Sequence, residues 1–167
     1  MNKKSSRPQK SPAQAMVEFA LVLPILLLLI YGILEVGRLL FIYSSVVSAA
    51  RQASRYGSTT GVNGAGIFRY RDCDGMRDAA QRVGFIDPIA DADIEIWHDE
   101  GEGVNQVAYC PAGQAADTTF TPSVGNINRI RVRVHTQYSP IVPLVPLQPF
   151  TIESFSARTI LVNVPIV

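Results

Sequence analysis

The sequence predicts an α+β protein, in which a long N-terminal, membrane-spanning helix is followed by a small antiparallel-sheet domain. Three observations carry this expectation. Residues Phe19 to Leu34 (FALVLPILLLLIYGIL) form a run without a single charge. Apolar residues then continue at helical spacing to Tyr56, where Gly57 and Ser58-Thr59-Thr60-Gly61 stop the pattern. Beyond residue 90 the periodicity changes to the two-residue alternation of half-buried strands. The expected organisation is a basic leader over 1–13, a helix over 14–56 with its membrane segment at about 19–42, and an extracytoplasmic α+β domain over 57–167.

Sixteen residues at about 1.5 Å each reach ~24 Å, short of a hydrocarbon core of ~30 Å. Continuing through Val36 to Tyr43 supplies the missing length, provided that Glu35 and Arg38, three positions apart, pair with each other. Lys3, Lys4, Arg7 and Lys10 precede the run with no acid among them, whereas the nearest positive charges after Arg38 are Arg51 and Arg55. This bias places the N-terminus in the cytoplasm and the residues after about 43 outside. A cleavable secretory signal fits less well: the apolar run is followed by EVGRLLFIY, and Ser48-Ala49-Ala50 comes too late for a small-residue cleavage site. Pro24 within the run permits a kink and suits any membrane helix.

The helix is expected to continue past the bilayer to a total of ~65 Å. At about 100° per residue, Val36, Leu39, Leu40, Tyr43, Val46, Val47, Ala50 and Ala53 share one arc, and Arg38, Ser45, Ser48, Arg51, Gln52 and Arg55 share the opposite one. The apolar arc needs cover, either from the chain's own domain or from the helix of a neighbouring copy.

In the outer domain, residues 57–70 are rich in Gly, Ser and Thr and read as a loop; no strand precedes the Gly61, Gly64, Gly66 spacing, so it is not a phosphate-binding fingerprint. Met76, Ala79, Ala80 and Val83 predict a short helix over 72–84. Asp93 to His98 and Val104 to Tyr109 alternate around Glu102-Gly103, which predicts a hairpin. The clearest strand runs from Ile127 to Tyr138, with Ile130, Val132 and Val134 on one face and Arg129, Arg131, Arg133 and His135 on the other. Residues Ile152 to Val164 form the last strand. Between these two, Pro140, Pro143, Pro146 and Pro149 recur every third residue, the polyproline II repeat of a stiff connector.

Composition narrows function more by exclusion than by assertion. The net charge is +1, and beyond residue 42 the arginines nearly balance the acids, so no global field recruits nucleic acid. Cys73 and Cys110 are the two cysteines, both lie after the apolar run, and they lack metal-ligand spacing. In an exported domain one disulfide between them is expected, closing a loop worth about 3–4 kcal/mol; two buried thiols are the alternative. Asp91, Asp93, Glu95, Asp99, Glu100 and Glu102 form the densest acidic region. Calcium takes six to eight oxygens, but this spacing matches no calcium loop, so a solvated acidic edge is the preferred reading of 91–102. This acidic region and the Arg129, Arg131, Arg133 stripe are able to pair, within one chain or between neighbours. His98 and His135 are the two histidines and no nucleophile motif accompanies them, so neither enzymatic activity nor a cofactor or metal site is expected.

The most specific signal is the segment Gln14, Val17-Glu18-Phe19-Ala20, Pro24, Glu35-x-Gly37-Arg38 and Ala49-Ala50-Arg51-x-Ala53-x-Arg55-Tyr56, preceded by the basic leader. This block resembles the N-terminal region of TadE-like and TadG-like proteins, pseudopilins of the tight-adherence (Tad) branch of the type IV pilus superfamily. The resemblance implies a pilin-like fold and a class III signal cut by a prepilin peptidase between Ala13 and Gln14, with Ala13 standing where that pattern usually has Gly. It implies that Glu18 and Phe19 act in assembly, Glu18 pairing with the free amine of a neighbouring subunit's Gln14. Other pilin subunits, the Tad assembly machinery and the membrane are then the expected partners, with no nucleic acid among them. The implied role is that of a structural minor pilin. The alternative is a membrane-tethered module that scaffolds pilus or envelope proteins without entering a filament.

Overall fold

The computed structural model describes residues 12–84, 88–101, 107–117, 120–122, 128–141 and 148–160. Helix α1 runs from Pro12 to Ser58 and continues through Pro24. A 3-10 turn at Arg69–Arg71 leads into α2 (Cys73–Gln81), and a second 3-10 turn at Asp91–Asp93 leads into β1 (Ile94–Asp99). The remaining strands are β2 (Val107–Cys110), β3 (Arg129–Tyr138) and β4 (Phe150–Thr159). The basic leader up to residue 11, the hairpin turn at Glu102-Gly103, Val104, Ile127, Pro143, Pro146 and the stretch from Leu161 to Val164 lie outside the described residues.

The chain divides into two compact units, Met1–Arg38 and Leu39–Val167. In the first, the described part is the helix alone, and its apolar side chains are exposed: Leu21, Ile25, Leu28 and Ile33 are all open. It is long and apolar enough to cross a membrane.

The second unit contains the last turns of α1 and the α+β domain. Its sheet is antiparallel with strand order β2-β1-β3-β4. The β3–β4 ladder aligns Arg129 with Thr159 and Tyr138 with Phe150. Alternation places Ile130, Val132 and Val134 of β3 in the core, joined by Ile94 and Ile96 of β1 and Ile152 of β4. Met76 and Ala80 of α2 and Ile42, Val46, Ala49, Ala50 and Ala53 of α1 complete the same cluster.

The buried stripe of α1 overlaps the arc read from the sequence but is rotated from it. Val46, Ala50 and Ala53 of that arc are buried, whereas Val36, Leu40 and Tyr43 are exposed and Val47 is half-buried; Ile42 and Ala49, outside the arc, are buried instead. The covered face is rotated toward the small residues because small side chains let a helix approach a sheet closely. Gly57 marks the nearest approach: a Cβ there would lie 2.5 Å from both Ile130 Cδ1 and Met76 Sδ. Apolar bulk favours Leu40 and Tyr43, but toward the end of α1 fit selects alanine and glycine. One polar contact lies on the same side, Ser54 Oγ to Ser156 Oγ at 2.7 Å.

Two polar arrangements lock the domain's loops. Asp72 is the N-cap of α2, its Oδ1 accepting from Gly75 N at 3.0 Å, while its Oδ2 accepts from Tyr56 Oη at 2.5 Å and Asn63 Nδ2 at 2.9 Å. One buried carboxylate thus fastens the end of α1, the following loop and the start of α2. Space for a larger residue at Gly75 is already filled by Asp72 and the Tyr56 ring. Burial, followed by the bond to Asp72, pushes the Tyr56 hydroxyl up to about 12, so it remains a donor.

The second arrangement surrounds the disulfide between Cys73 and Cys110. Beside it Arg77, fully buried, donates to the carbonyls of Cys110 (2.7 Å), Pro111 (2.5 Å) and Gln114 (2.8 Å). Through its two Nη groups the guanidinium does what a short apolar side chain cannot: it supplies donors to a loop that has left the sheet. Covalent bond and arginine together hold α2 against the residues after β2.

His98 is buried and its ring stacks on Phe120 at 3.6 Å between centroids. Burial lowers its pKa from 6.5 to about 3, so the folded state holds it neutral. The unfolded chain binds a proton at His98 between these two pKa values and the folded chain does not, so stability is full above pH 6.5 and declines as pH falls toward 3. At about pH 4 the loss is on the order of 3 kcal/mol. Urea titrations of the detergent-solubilised chain at several pH values check this, and His98→Phe should flatten the decline. An unchanged pH dependence in that variant would refute the assignment to His98.

Candidate assembly surface

The residues expected to act in assembly lie at the head of α1. Ala13 and Gln14 fall in its first turn, with Gln14 exposed. Glu18 follows one turn later, and its carboxylate accepts from Gln14 Nε2 at 3.2 Å. This i,i+4 bond is local and solvent-facing, and it leaves the other carboxylate oxygen available. Phe19 is 61% exposed, and Met16, Val17, Leu21 and Val22 around it are equally open. A single acid therefore stands at the edge of an apolar surface that this part of the chain does nothing to cover. Such a surface demands lipid or other helices around it.

Further along, Glu35 accepts from Tyr31 Oη at 3.2 Å and from Arg38 Nη1 at 3.4 Å. The two charges that interrupt the apolar pattern thus neutralise each other on one helix face, which lowers the cost of placing them near lipid.

The acidic region and the arginine stripe meet within one chain. Arg133 bridges Glu95 (3.2 Å) and Glu153 (2.5 Å), Arg129 donates to buried Asp99 at 2.6 Å, and His135 lies 3.7 Å from Asp93. Strand register explains the pairing, because Glu95 sits opposite Arg133 and Asp99 opposite Arg129 across β1 and β3. Arg133 is held charged chiefly by its bond to Glu153. Among the described residues no cluster of three or more metal-type ligands occurs. The Asp72 junction and the Arg77 clamp were missed by sequence reasoning. Asp72, an N-cap residue type just ahead of an amphipathic stretch, was a usable helix-start signal for the first. Arg77 carried none.

Residues 13–55, about a quarter of the chain, match the family model described as TadE-like protein. No curated protein matches the chain, and no solved structure does. The matched segment runs from Ala13 to the last turn of α1, and so contains the apolar stretch, Glu18 and the α1 residues that enter the domain core. It points to a protein associated with the Tad pilus machinery.

Proposed function

We propose that this chain, TadE-like over residues 13–55, is a structural, non-catalytic pilin-like subunit (a pseudopilin or minor pilin) of a Tad-type pilus, assembled through α1. The observation that carries this reading is the coincidence of the matched segment with an uncovered apolar helix headed by one carboxylate. The basic residues before α1 set the orientation, with the N-terminus in the cytoplasm and the α+β domain outside. Prepilin peptidase cuts between Ala13 and Gln14, and the amine released at Gln14 is the charge that Glu18 of an adjacent subunit meets. The disulfide suits an oxidising compartment.

One observation favours the second reading, a membrane-tethered scaffold that stays out of the filament. Ala13 replaces the glycine usual at the cut and lies inside α1, where a peptidase must unwind the backbone to reach it. The N-terminal sequence of the protein recovered from sheared surface filaments decides between them. A chain in the filaments that starts at Gln14 is expected. A chain found in membranes alone, still carrying Lys3 and Lys4, would refute the subunit role.

A further inference from the structure

Three arginines gather in a cleft of about 340 Å³ where the end of α1, the Arg69–Arg71 turn and the end of α2 meet. Its polar lining is Gln52, Arg55, Tyr56, Thr59, Arg69 and Arg82, with three guanidinium groups and no carboxylate among the lining residues. At about 30 Å³ per water, the space holds a small anion with part of its hydration shell.

Of the domain's other arginines, Arg77 donates to carbonyls, Arg129 and Arg133 pair with carboxylates, and Arg71 donates to the Phe120 carbonyl. Among the described residues, Arg55, Arg69 and Arg82 form no ion pair. Arg69 is nevertheless fixed in place. Its Nη1 donates to Thr59 Oγ1 at 3.1 Å, its Cζ lies 5.5 Å from the Tyr56 ring centroid, and its Nε is buried without a hydrogen-bond partner among the described residues. A pre-positioned guanidinium loses little side-chain freedom on binding an acceptor.

Asp72 and Asp78 lie close enough to offset part of this charge, but neither forms an ion pair with the three arginines: Asp72 accepts from Tyr56, Asn63 and Gly75 N, and Asp78 is exposed. Helix-end electrostatics account for part of the arrangement, since Arg55 lies in the last turn of α1 and Arg82 is the C-cap of α2, where cations are favoured. They do not account for Arg69, which comes from a separate turn.

We propose that this cleft is an oxyanion-binding site whose ligand is a phosphate group, free or carried as the end group of a larger molecule. Three guanidiniums arriving from three elements, with a hydroxyl and an amide beside them, suit a tetrahedral, multiply charged anion better than a planar carboxylate, which one arginine satisfies bidentately. The site lies entirely within the second unit and does not depend on whether the chain enters a filament.

The test uses the full chain in phosphatidylcholine nanodiscs, titrated with inorganic phosphate at constant ionic strength and followed calorimetrically. Saturable binding is expected, weakened about tenfold or more by Arg82→Gln and by Arg69→Gln, and unaffected by Arg131→Gln on the sheet. Arg82 is exposed, so its variant reports binding even if Arg69→Gln disturbs the fold. Adding phosphatidic acid to the discs separates the sources: competition with phosphate assigns a lipid headgroup, and undiminished binding assigns a soluble ligand. Absence of saturable binding, or equal binding by wild type and Arg82→Gln, would overturn the proposal.

Discussion

Val46→Asp is expected to open the α+β domain to limited proteolysis, while Arg51→Asp leaves it resistant. Val46 is 1% exposed and belongs to the cluster that unites α1 with β3 and α2. A carboxylate there enters a cluster of apolar side chains, so it either buries an unpaired charge or forces the helix away from its cover. The cost is about 3–5 kcal/mol, a large part of the stability of a domain this size. Arg51 is exposed on the opposite side of α1, so a charge there changes solvation and little else. Trypsin and a second protease applied to both detergent-solubilised variants give the comparison. Equal resistance would mean that the end of α1 is dispensable to the domain, and the covered face assigned to Val46 would be wrong.

How much of this was legible in the sequence follows from which forces left a local pattern. The long helix was readable because an uncharged run and a glycine-rich stop are local features, and α1 ends at Ser58 beside that stop. Strand β3 was equally plain, since alternating Arg and Ile or Val has one solution at a sheet surface. The pairing of Glu95 with Arg133 and Asp99 with Arg129 needed register, which depends on how β1 and β3 align and not on either strand alone. The rotation of the buried stripe was out of reach for a similar reason. Apolar side-chain area ranks Leu40 and Tyr43 above Ala49 and Gly57, but the sheet selects for closeness, a property of the pair of surfaces. Arg77 shows the limit most clearly: a lone arginine on a short amphipathic helix reads as a solvated charge, yet it is buried because loop carbonyls 33 to 37 residues away require donors. The Arg55, Arg69 and Arg82 cleft is hidden likewise, assembled from three separate elements.

The same reasoning gives the assembly helix its sharpest expectation. Glu18→Ala should leave the chain in the membrane and remove it from filaments. In the single chain the Glu18 carboxylate does little structural work: it accepts one exposed bond from Gln14 and stands at the edge of an apolar surface. Deleting it makes that helix more apolar, so insertion is unimpaired. In a bundle of packed helices the position changes character, because a carboxylate surrounded by apolar neighbours is tolerated only with a cation beside it, which under the proposed processing is the amine of the next subunit. Removing one partner from such a buried pair costs about 3–5 kcal/mol, which lowers incorporation about a hundredfold or more. Glu18→Gln separates charge from hydrogen bonding: it keeps an acceptor for Gln14 but offers no charge to the amine, and it should fail nearly as badly as alanine. Blotting membrane and sheared-filament fractions for all three proteins reads the outcome. Filaments containing Glu18→Gln at the wild-type level would show that Glu18 contributes a polar helix start and no ionic register.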